Sequence, residues 1–572
     1  MLNKVLKLFF QNKAIILLIL TGTICWSLTM VKSGWRYHYG LGFWGPNGRD
    51  GVWHIALAES LAKGSFEMPI FAGEKIKNYH IGFNLILAGI NKITKIPVLN
   101  LYFQILPPII ALLIGIFTYR LVFLWHKSKL QAFWATFFVY FGGSLGWLVT
   151  FLRERKFDGE SMFWSQQSIS TLVNPPFALS LLLLLAGLVY LIKYRERKKL
   201  FDFILSVLFF VLIVNIKVYT ILGLGALLMA GIFEIIKNKR LELIKVFGVS
   251  FIFAIIMFLP LSKSSANLIN FKPFWFVETL MGFQDKFYWP RFYSAMMNYR
   301  LGNIWFKAIP AYLIAFIIFL IGNLSTRILA FILAFRWVRN FRKLTYVEVF
   351  LISLIVAGIV IPTLFIQAGT PWNTIQFFYY SLIFLGIMAG IYLGEWSEKK
   401  GGKVLIFLIG LITLITSMAT LYYHYLPSRP PAKISNEELE ALQFLSKQKK
   451  GIVLLYPFDK YAAKLAENNP PRPLYLYDET AYVAAFSKQP VFLEDTINLN
   501  ITGYNWQERL VQVNEFLKST DSTKAKDFLV NNHISYIYWT SNKKAEFDDK
   551  QLGLIKIFGN SQVNIFKVDF QP

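Results

Sequence analysis

Residues 80–93 read HIGFNLILAGINKI, and how this stretch is counted decides the fold. It is apolar, but a helix of that length rises only about 21 Å, short of the roughly 30 Å hydrocarbon core of a bilayer. Counted as a span, it would move every later loop to the other side of the membrane. Counted as an interfacial or re-entrant helix, it leaves eleven apolar runs long enough to consider, at about 14–31, 102–125, 131–151, 176–193, 200–214, 219–236, 245–261, 309–334, 345–366, 375–394 and 404–423. The run at 200–214 is the shortest.

Loop charge arbitrates. With the N-terminus inside, the cytoplasmic loops are HKSKL (126–130), KYRERKK (193–199), KNKRLELIK (237–245), RWVRNFRK (336–343) and EWSEKKGGK (395–403). All are short and basic, as cytoplasmic loops are. The long loops 32–101, 152–175 and 262–308 then fall outside. An odd number of spans puts the C-terminus outside as well. The flank Lys4, Lys7 and Lys13 would suit a signal peptide, but the first apolar run is long and no A-x-A site follows. The reading is a retained first helix.

Composition agrees. The chain is 55% hydrophobic and 17% aromatic, above the roughly 45–50% apolar content of soluble domains. Its net charge of +26 is not a nucleic-acid footprint. Residues 427–572 hold 18 Lys and Arg against 17 Asp and Glu, so the excess lies in the membrane part. Cys25 is the single cysteine, which excludes disulfides and thiolate metal sites.

At HYLPSRPPAK (424–433) the composition changes, marking 427–433 as a linker between a membrane domain (1–426) and a soluble extracytoplasmic domain (434–572). Helix patterns at 435–448, 479–487, 506–519 and 523–532 alternate with strand patterns at 451–457, 490–494 and 534–540, and a hairpin closes around Gly559-Asn560. This predicts a compact α/β domain. With no Gly-rich phosphate loop and no nucleophile elbow, its expected role is recognition or support.

The chemistry-bearing residues gather outside. In GRDGVWHIALAESL (48–61), Leu57 and Leu61 share a helical face with Asp50 and His54, which predicts an amphipathic helix on the outer surface. Asp50 suits either a helix N-terminus or a general base. His54 and His80 are either divalent-metal ligands with Asp50 or polar packing residues among aromatics. Lys217, between two apolar runs, is either a phosphate-binding cation or a snorkelling lysine. Arg291 and Arg300 can hold phosphate or lipid headgroups. Asp158 and Glu160 are second acids or members of a solvated loop. Asn373, Gln376 and Tyr380 fall on one helical face, as a cavity lining or an aromatic belt with anchoring amides.

The order Asp50, Trp53-His54, Gly64, Pro69, Tyr79-His80 and the apolar helix 83–93, set between a first and a second span, resembles the GT-C class of integral-membrane glycosyltransferases. The similarity is greatest to the branch of protein O-mannosyltransferases and lipid A aminoarabinose transferases. It implies a polytopic helical fold of eleven spans with N-terminus in and C-terminus out. It implies transfer of a sugar from a polyprenyl-phosphate or -diphosphate carrier to a protein, lipid or glycan acceptor on the non-cytoplasmic face of a membrane, here a prokaryotic plasma membrane. In the class an early external acid serves as base or metal ligand, and Asp50 matches it. A Mg or Mn ion is the one cofactor implied. The relatives often carry Asp-Glu where this chain has Asp50-Gly51. The leaving lipid phosphate needs cations, for which Lys217, Arg291 and Arg300 are the candidates. Rival readings are a flippase or transporter of a lipid-linked glycan, a non-catalytic envelope glycan-binding protein, and a polymerase acting on diphosphate-linked oligosaccharides.

Overall fold

The computed structural model describes residues 13–261, 269–399, 402–540, 545 and 552–569. Lys4 and Lys7, residues 262–268 of the third long loop and residues 400–401 of EWSEKKGGK lie outside the described residues. The chain divides into two compact units. A helical unit takes Met1–Thr29, Pro107–Pro260 and Ala266–Leu426, and a mixed unit takes Met30–Leu106, Leu261–Ser265 and Pro427–Pro572.

In the helical unit every long apolar run is helical: Lys13–Ser27, Leu106–His126, Lys129–Phe141 with Gly146–Glu154, Pro175–Arg197, Leu200–Ile216, Ile221–Asn238, Glu242–Phe258, Trp305–Leu324 with Ala330–Arg339, Tyr346–Leu364, Ile375–Ser397 and Lys403–Thr420. Seven of the described helices are long and apolar enough to cross a membrane, or eight if the pair Lys129–Phe141 and Gly146–Glu154, bent by 47°, is one span. Lys13–Ser27 and Leu200–Ile216 are apolar but shorter. Ser128, Asn174 and Thr345 cap three helix starts with side-chain oxygens, satisfying amide donors that a helix leaves open. Ile375–Ser397 lies close against Lys129–Phe141. A Cβ on Gly390 would stand 2.3 Å from the Ala135 nitrogen, and one on Gly394 2.4 Å from the Gln131 Cα. Small residues permit such backbone approach between helices. Ile252, Phe253, Ile309, Leu313, Leu405 and Phe407 remain exposed on the flanks of other helices, as a lipid-facing surface requires.

The five basic loops meet at one end of this unit. Ser128 donates to Glu398 at 2.6 Å, and Lys127 lies 3.6 Å from Glu196. Arg195 bridges Glu234 at 2.5 Å and Glu242 at 3.2 Å, and Lys198 also pairs with Glu242. Lys237 donates to the Leu344 carbonyl at 2.7 Å, and Arg336 pairs with Glu395 at 2.6 Å. Loops grouped by charge alone are therefore neighbours in space.

The mixed unit joins the first long loop to the C-terminal residues. One four-stranded sheet has the order Arg36–Tyr37, Gly40–Phe43, Ala432–Ile434, Arg472–Pro473. Part of the expected linker is thus a strand, paired antiparallel to Gly40–Phe43, while the Pro427 carbonyl accepts from Lys32 and from the Trp44 indole, each at 2.8 Å. The second sheet has the order Ile452–Leu455, Ile534–Thr540, Val563–Val568, Leu554–Gly559, its first pair parallel and the others antiparallel. Helices Asn436–Ser446 and Ser522–Asn531 pack on it, the first under a Ser435–Glu438 capping box, with Tyr482–Ser487 and Trp506–Lys518 packed against those helices.

Two expectations change here. PVFLE (490–494) is not a ladder strand. Phe492 donates to the Val453 carbonyl at 2.9 Å, and on the other side Val491 donates to Pro69 at 2.7 Å and Glu494 to Ile70 at 3.1 Å. The first loop takes the place of a neighbouring strand. The helix Asp50–Ala62 is not a surface amphipath either, since Gly51 through Glu59 and Leu61 are all buried. Its polar groups are too few to form a wet face, and a helix apolar all round is a buried one. The helix Gly82–Thr94 does show two faces. Phe83, Asn84, Leu87 and Ala88 are buried, whereas Leu85, Ile86 and Ile93 are exposed.

Candidate functional site

In the mixed unit Asp50 is the first residue of Asp50–Ala62, where the helix dipole favours a carboxylate. The preceding Arg49 lies 3.4 Å from Asp478. Burial works against the Arg49 charge, but Asp50, Asp478, Asp495 and Glu479 outweigh it and hold the guanidinium more firmly protonated than usual. The departure at Gly51 has a steric cause. A Cβ there would stand 2.6 Å from the Phe103 ring and 3.2 Å from Tyr102, so a glutamate does not fit.

His54 and His80 belong to an aromatic cluster. The His54 ring stacks on Tyr102 at 5.7 Å, its Nδ1 lies 3.2 Å from the Asn84 amide nitrogen, and the same amide donates to the His54 carbonyl at 2.9 Å. His80 stacks on Tyr79 at 4.5 Å, and the Tyr79 hydroxyl accepts from the Trp53 indole at 2.9 Å. The imidazoles are built in as packing groups. Among the described residues no three His, Cys, Asp or Glu side chains are placed to hold a metal ion. The expected Mg or Mn site of Asp50, His54 and His80 is not assembled, because the rings are turned into the aromatic cluster.

In the helical unit Lys217 ends the helix Leu200–Ile216 at 5% exposure. This helix starts at the basic loops, so Lys217 lies at its far end. The ammonium donates to Asn174 Oδ1 at 3.4 Å and stands 5.4 Å from the Tyr219 ring. The Tyr219 hydroxyl donates to Gln367 at 3.1 Å. Asn373 and Gln376 are together, joined by a hydrogen bond of 3.3 Å. Tyr380 is turned elsewhere, fully buried with its hydroxyl 2.7 Å from that of Ser180. Arg291 is exposed, whereas Arg300 is engaged with Glu278, which also accepts from Tyr312 at 2.6 Å. Asp158 and Glu160 are not merely solvated. Asp158 lies 2.9 Å from His424, and Glu160 accepts from the Gln167 amide at 2.7 Å and from Ser170 at 2.8 Å. Burial pushes the Glu160 carboxyl up despite those donors.

One residue was passed over in the sequence. Arg327 has no exposure, and its guanidinium donates to the carbonyls of Gly143 at 3.0 Å and Asn323 at 2.7 Å and to the Gln167 side chain. All these acceptors are neutral, and among the described residues Nη1 has no hydrogen-bond partner. With Ser168, Ser170, Thr171 and Tyr379 it lines a small recess. The signal was a lone arginine in the apolar run FLIGNLSTRILAF, a functional hypothesis by default.

No family model matches the chain, and no curated protein matches it in sequence. Solved structures do match in shape. The oligosaccharyltransferase of Archaeoglobus fulgidus, captured with a tethered acceptor peptide, aligns over 93% of this chain and 70% of its own, with 11% identity and a TM-score of 0.51. The mycobacterial arabinofuranosyltransferase AftD aligns over 98% of this chain with 13% identity and a TM-score of 0.54, this chain spanning 42% of that protein. ArnT of Cupriavidus metallidurans aligns over 96% of this chain and 97% of its own with 10% identity, at a TM-score of 0.38 too low to weigh. At these identities the likeness speaks for architecture alone. The fold of this chain is that of the GT-C glycosyltransferases.

Proposed function

We propose that the chain is a membrane glycosyltransferase that moves a sugar from a polyprenyl-phosphate or -diphosphate carrier to an acceptor on the non-cytoplasmic face, with eleven spans, the N-terminus inside and the C-terminal residues outside. The observation that carries this reading is an acid, Asp50, at the head of a helix that is otherwise sequestered, in a chain of GT-C fold. Asp50 takes the proton of the acceptor as its nucleophilic atom bonds to the sugar C1. The bond from C1 to the phosphate oxygen breaks, and the carrier phosphate leaves with the electron pair. A base in hydrogen-bond reach contributes about 10²–10⁴ in rate.

Lys217 and Arg327 hold the departing phosphate charge, with Arg291 as an outer contact. Arg300 serves Glu278 first. Asn373 and Gln376 contribute amides to the carrier-sugar cavity, and Tyr380 holds the cavity wall through Ser180. His54 and His80 shape the acceptor side by packing. A zinc- and sulfate-bound form of the archaeal oligosaccharyltransferase is known; among the described residues here no three His, Cys, Asp or Glu side chains come together to hold an ion, and no step is routed through one.

The test is sugar transfer in membranes carrying wild type or Asp50→Asn, with a panel of radiolabelled polyprenyl-phosphate sugars. Label leaving the lipid fraction only with wild type, at equal expression, supports the reading. Equal transfer by both removes Asp50 from the mechanism. Arg327, a buried charge within a long apolar segment, is the observation that favours a transporter of lipid-linked glycan. That reading predicts movement of intact labelled lipid across the bilayer with no label transferred.

A further inference from the structure

The C-terminal residues of the mixed unit enclose a recess with about 970 Å³ of empty space. It lies at the carboxyl ends of the parallel strands Ile452–Leu455 and Ile534–Thr540, and Leu455, Tyr456 and Thr540 stand in its wall. Such strand ends are where open sheets bind ligands.

Aromatic rings and carboxylates line it together. Tyr456, Tyr475 and Trp506 supply flat apolar faces, and Asp459, Asp478, Glu479, Glu494 and Asp495 supply acids. Much of the acid capacity serves the fold. Glu494 accepts from the amides of Val483 and Ala484 at 2.8 and 3.0 Å, Asp495 from that of Asn498 at 3.1 Å, and Glu479 from that of Thr496 at 2.9 Å. Asp459 caps Lys460–Leu465. These acids are therefore not arranged as a cation cage.

Two polar atoms in the wall have no such duty. Thr480 is 4% exposed, and among the described residues neither its hydroxyl nor the Trp506 indole nitrogen has a hydrogen-bond partner. A buried hydroxyl left without a partner destabilises the fold, so its retention needs a reason. Together the recess offers a hydroxyl, an indole donor, carboxylate acceptors and aromatic faces. The acids of the wall outnumber its one lysine, Lys460, and Asp478 is already paired with Arg49, so the recess favours a neutral ligand over an anion. A neutral sugar ring matches every feature, with C–H faces for the rings and hydroxyls that both donate and accept.

We propose that this recess binds a neutral sugar residue of the acceptor, with Trp506 and Tyr456 against the ring and the Thr480 hydroxyl and Trp506 indole on its hydroxyls. The inference rests on the transferase reading above and names the acceptor as a glycan. The link to the reacting acid is short, because Asp478 in the wall pairs with Arg49, the residue before Asp50.

The experiment uses the full chain in nanodiscs without donor. Saturation-transfer NMR would screen neutral hexose and pentose oligosaccharides, a uronate oligosaccharide and a lysine-rich peptide. A neutral oligosaccharide binds saturably, and Trp506→Ala weakens it more than ~10-fold. Thr480→Val weakens it ~5-fold, the loss of about 1 kcal/mol expected for one hydrogen bond, yet leaves the free protein as stable or more so. Binding of the uronate or the peptide in preference, no neutral saccharide bound at tens of millimolar, or affinities untouched by both recess variants would overturn the proposal. The two readings fail separately. Transfer with an acceptor KM indifferent to Thr480→Val sinks the recess alone, whereas saccharide binding without turnover of any donor sinks the transferase alone.

Discussion

The helical unit buries cations on neutral acceptors, and the mixed unit buries carboxylates on backbone amides. Arg327 and Lys217 are 0% and 5% exposed and lean on carbonyl and side-chain amide oxygens. Glu494 and Asp495 are 5% and 1% exposed and take their hydrogen bonds from helix-start amides and Asn498. Where the helical unit buries Glu234 and Glu278, each has an arginine partner. Arg327 in one unit and Glu494 and Asp495 in the other set the contrast, although the helical unit also buries Asp202 at 4% exposure. A guanidinium among neutral oxygens keeps its field for an anion such as a lipid phosphate. A carboxyl group in a dry, amide-rich setting keeps its proton and so tolerates a neutral partner.

The sharpest way to break this contrast is at Arg327. Arg327→Met lowers sugar transfer ~10²–10³-fold, the range seen when one donor to a developing oxyanion is removed, and Arg327→Lys recovers part of it. Unchanged transfer by a folded Arg327→Met protein would make the arginine a structural pin. Lys217→Met has a smaller effect, ~10-fold, expressed in the KM for the lipid donor. A change confined to kcat would move Lys217 from binding to the bond-breaking step.

Glu494 tests the other side. Burial pushes its carboxyl up to about 8 and that of Asp495 up to about 7. In the unfolded chain both titrate near 4. Between about pH 4 and pH 8 the folded state therefore keeps protons that the unfolded state has released, so stability falls as pH rises through that window and levels off above it. The apparent Tm of the full chain, followed by tryptophan fluorescence, drops by ~5 °C from pH 5 to pH 8. Glu494→Gln flattens that slope. A slope unaltered in Glu494→Gln would show that the carboxylate is ionised throughout.

The smallest change in activity is expected at Arg300. Arg300→Gln leaves Glu278 buried without its partner and costs about 2 kcal/mol of stability, while transfer stays within ~3-fold of wild type. A large loss of transfer at unchanged stability would restore Arg300 to the phosphate site.

Length, hydropathy and loop charge made the helices and the clustering of the basic loops legible, because these are local properties. The placement of Asp50–Ala62 was not, since its cover includes Tyr482–Ser487 and Gly82–Thr94 rather than solvent. Nothing near residue 50 announces a partner more than 400 residues away. The histidines looked like ligands because imidazole carries that chemistry, yet their neighbours Tyr79, Phe83 and Tyr102 make them part of an aromatic core. Gly51 was visible as a departure, but its cause, the Phe103 ring, is a matter of packing. Arg327 was legible as one charge in a long apolar stretch but was not singled out.

The strand pair Gly40–Phe43 with Ala432–Ile434 has a consequence for biosynthesis. The first loop leaves the ribosome early, but the residues that sheathe Asp50–Ala62 are made near the end of the chain. At about 5–20 residues per second, the interval runs from roughly twenty seconds to more than a minute. Through that time the helix carrying the acid has Gly82–Thr94 against it but lacks the cover of Tyr482–Ser487. The surroundings of Asp50 are consequently among the last parts of the mixed unit to mature, and a chain stalled before residue 432 would leave that helix only partly covered.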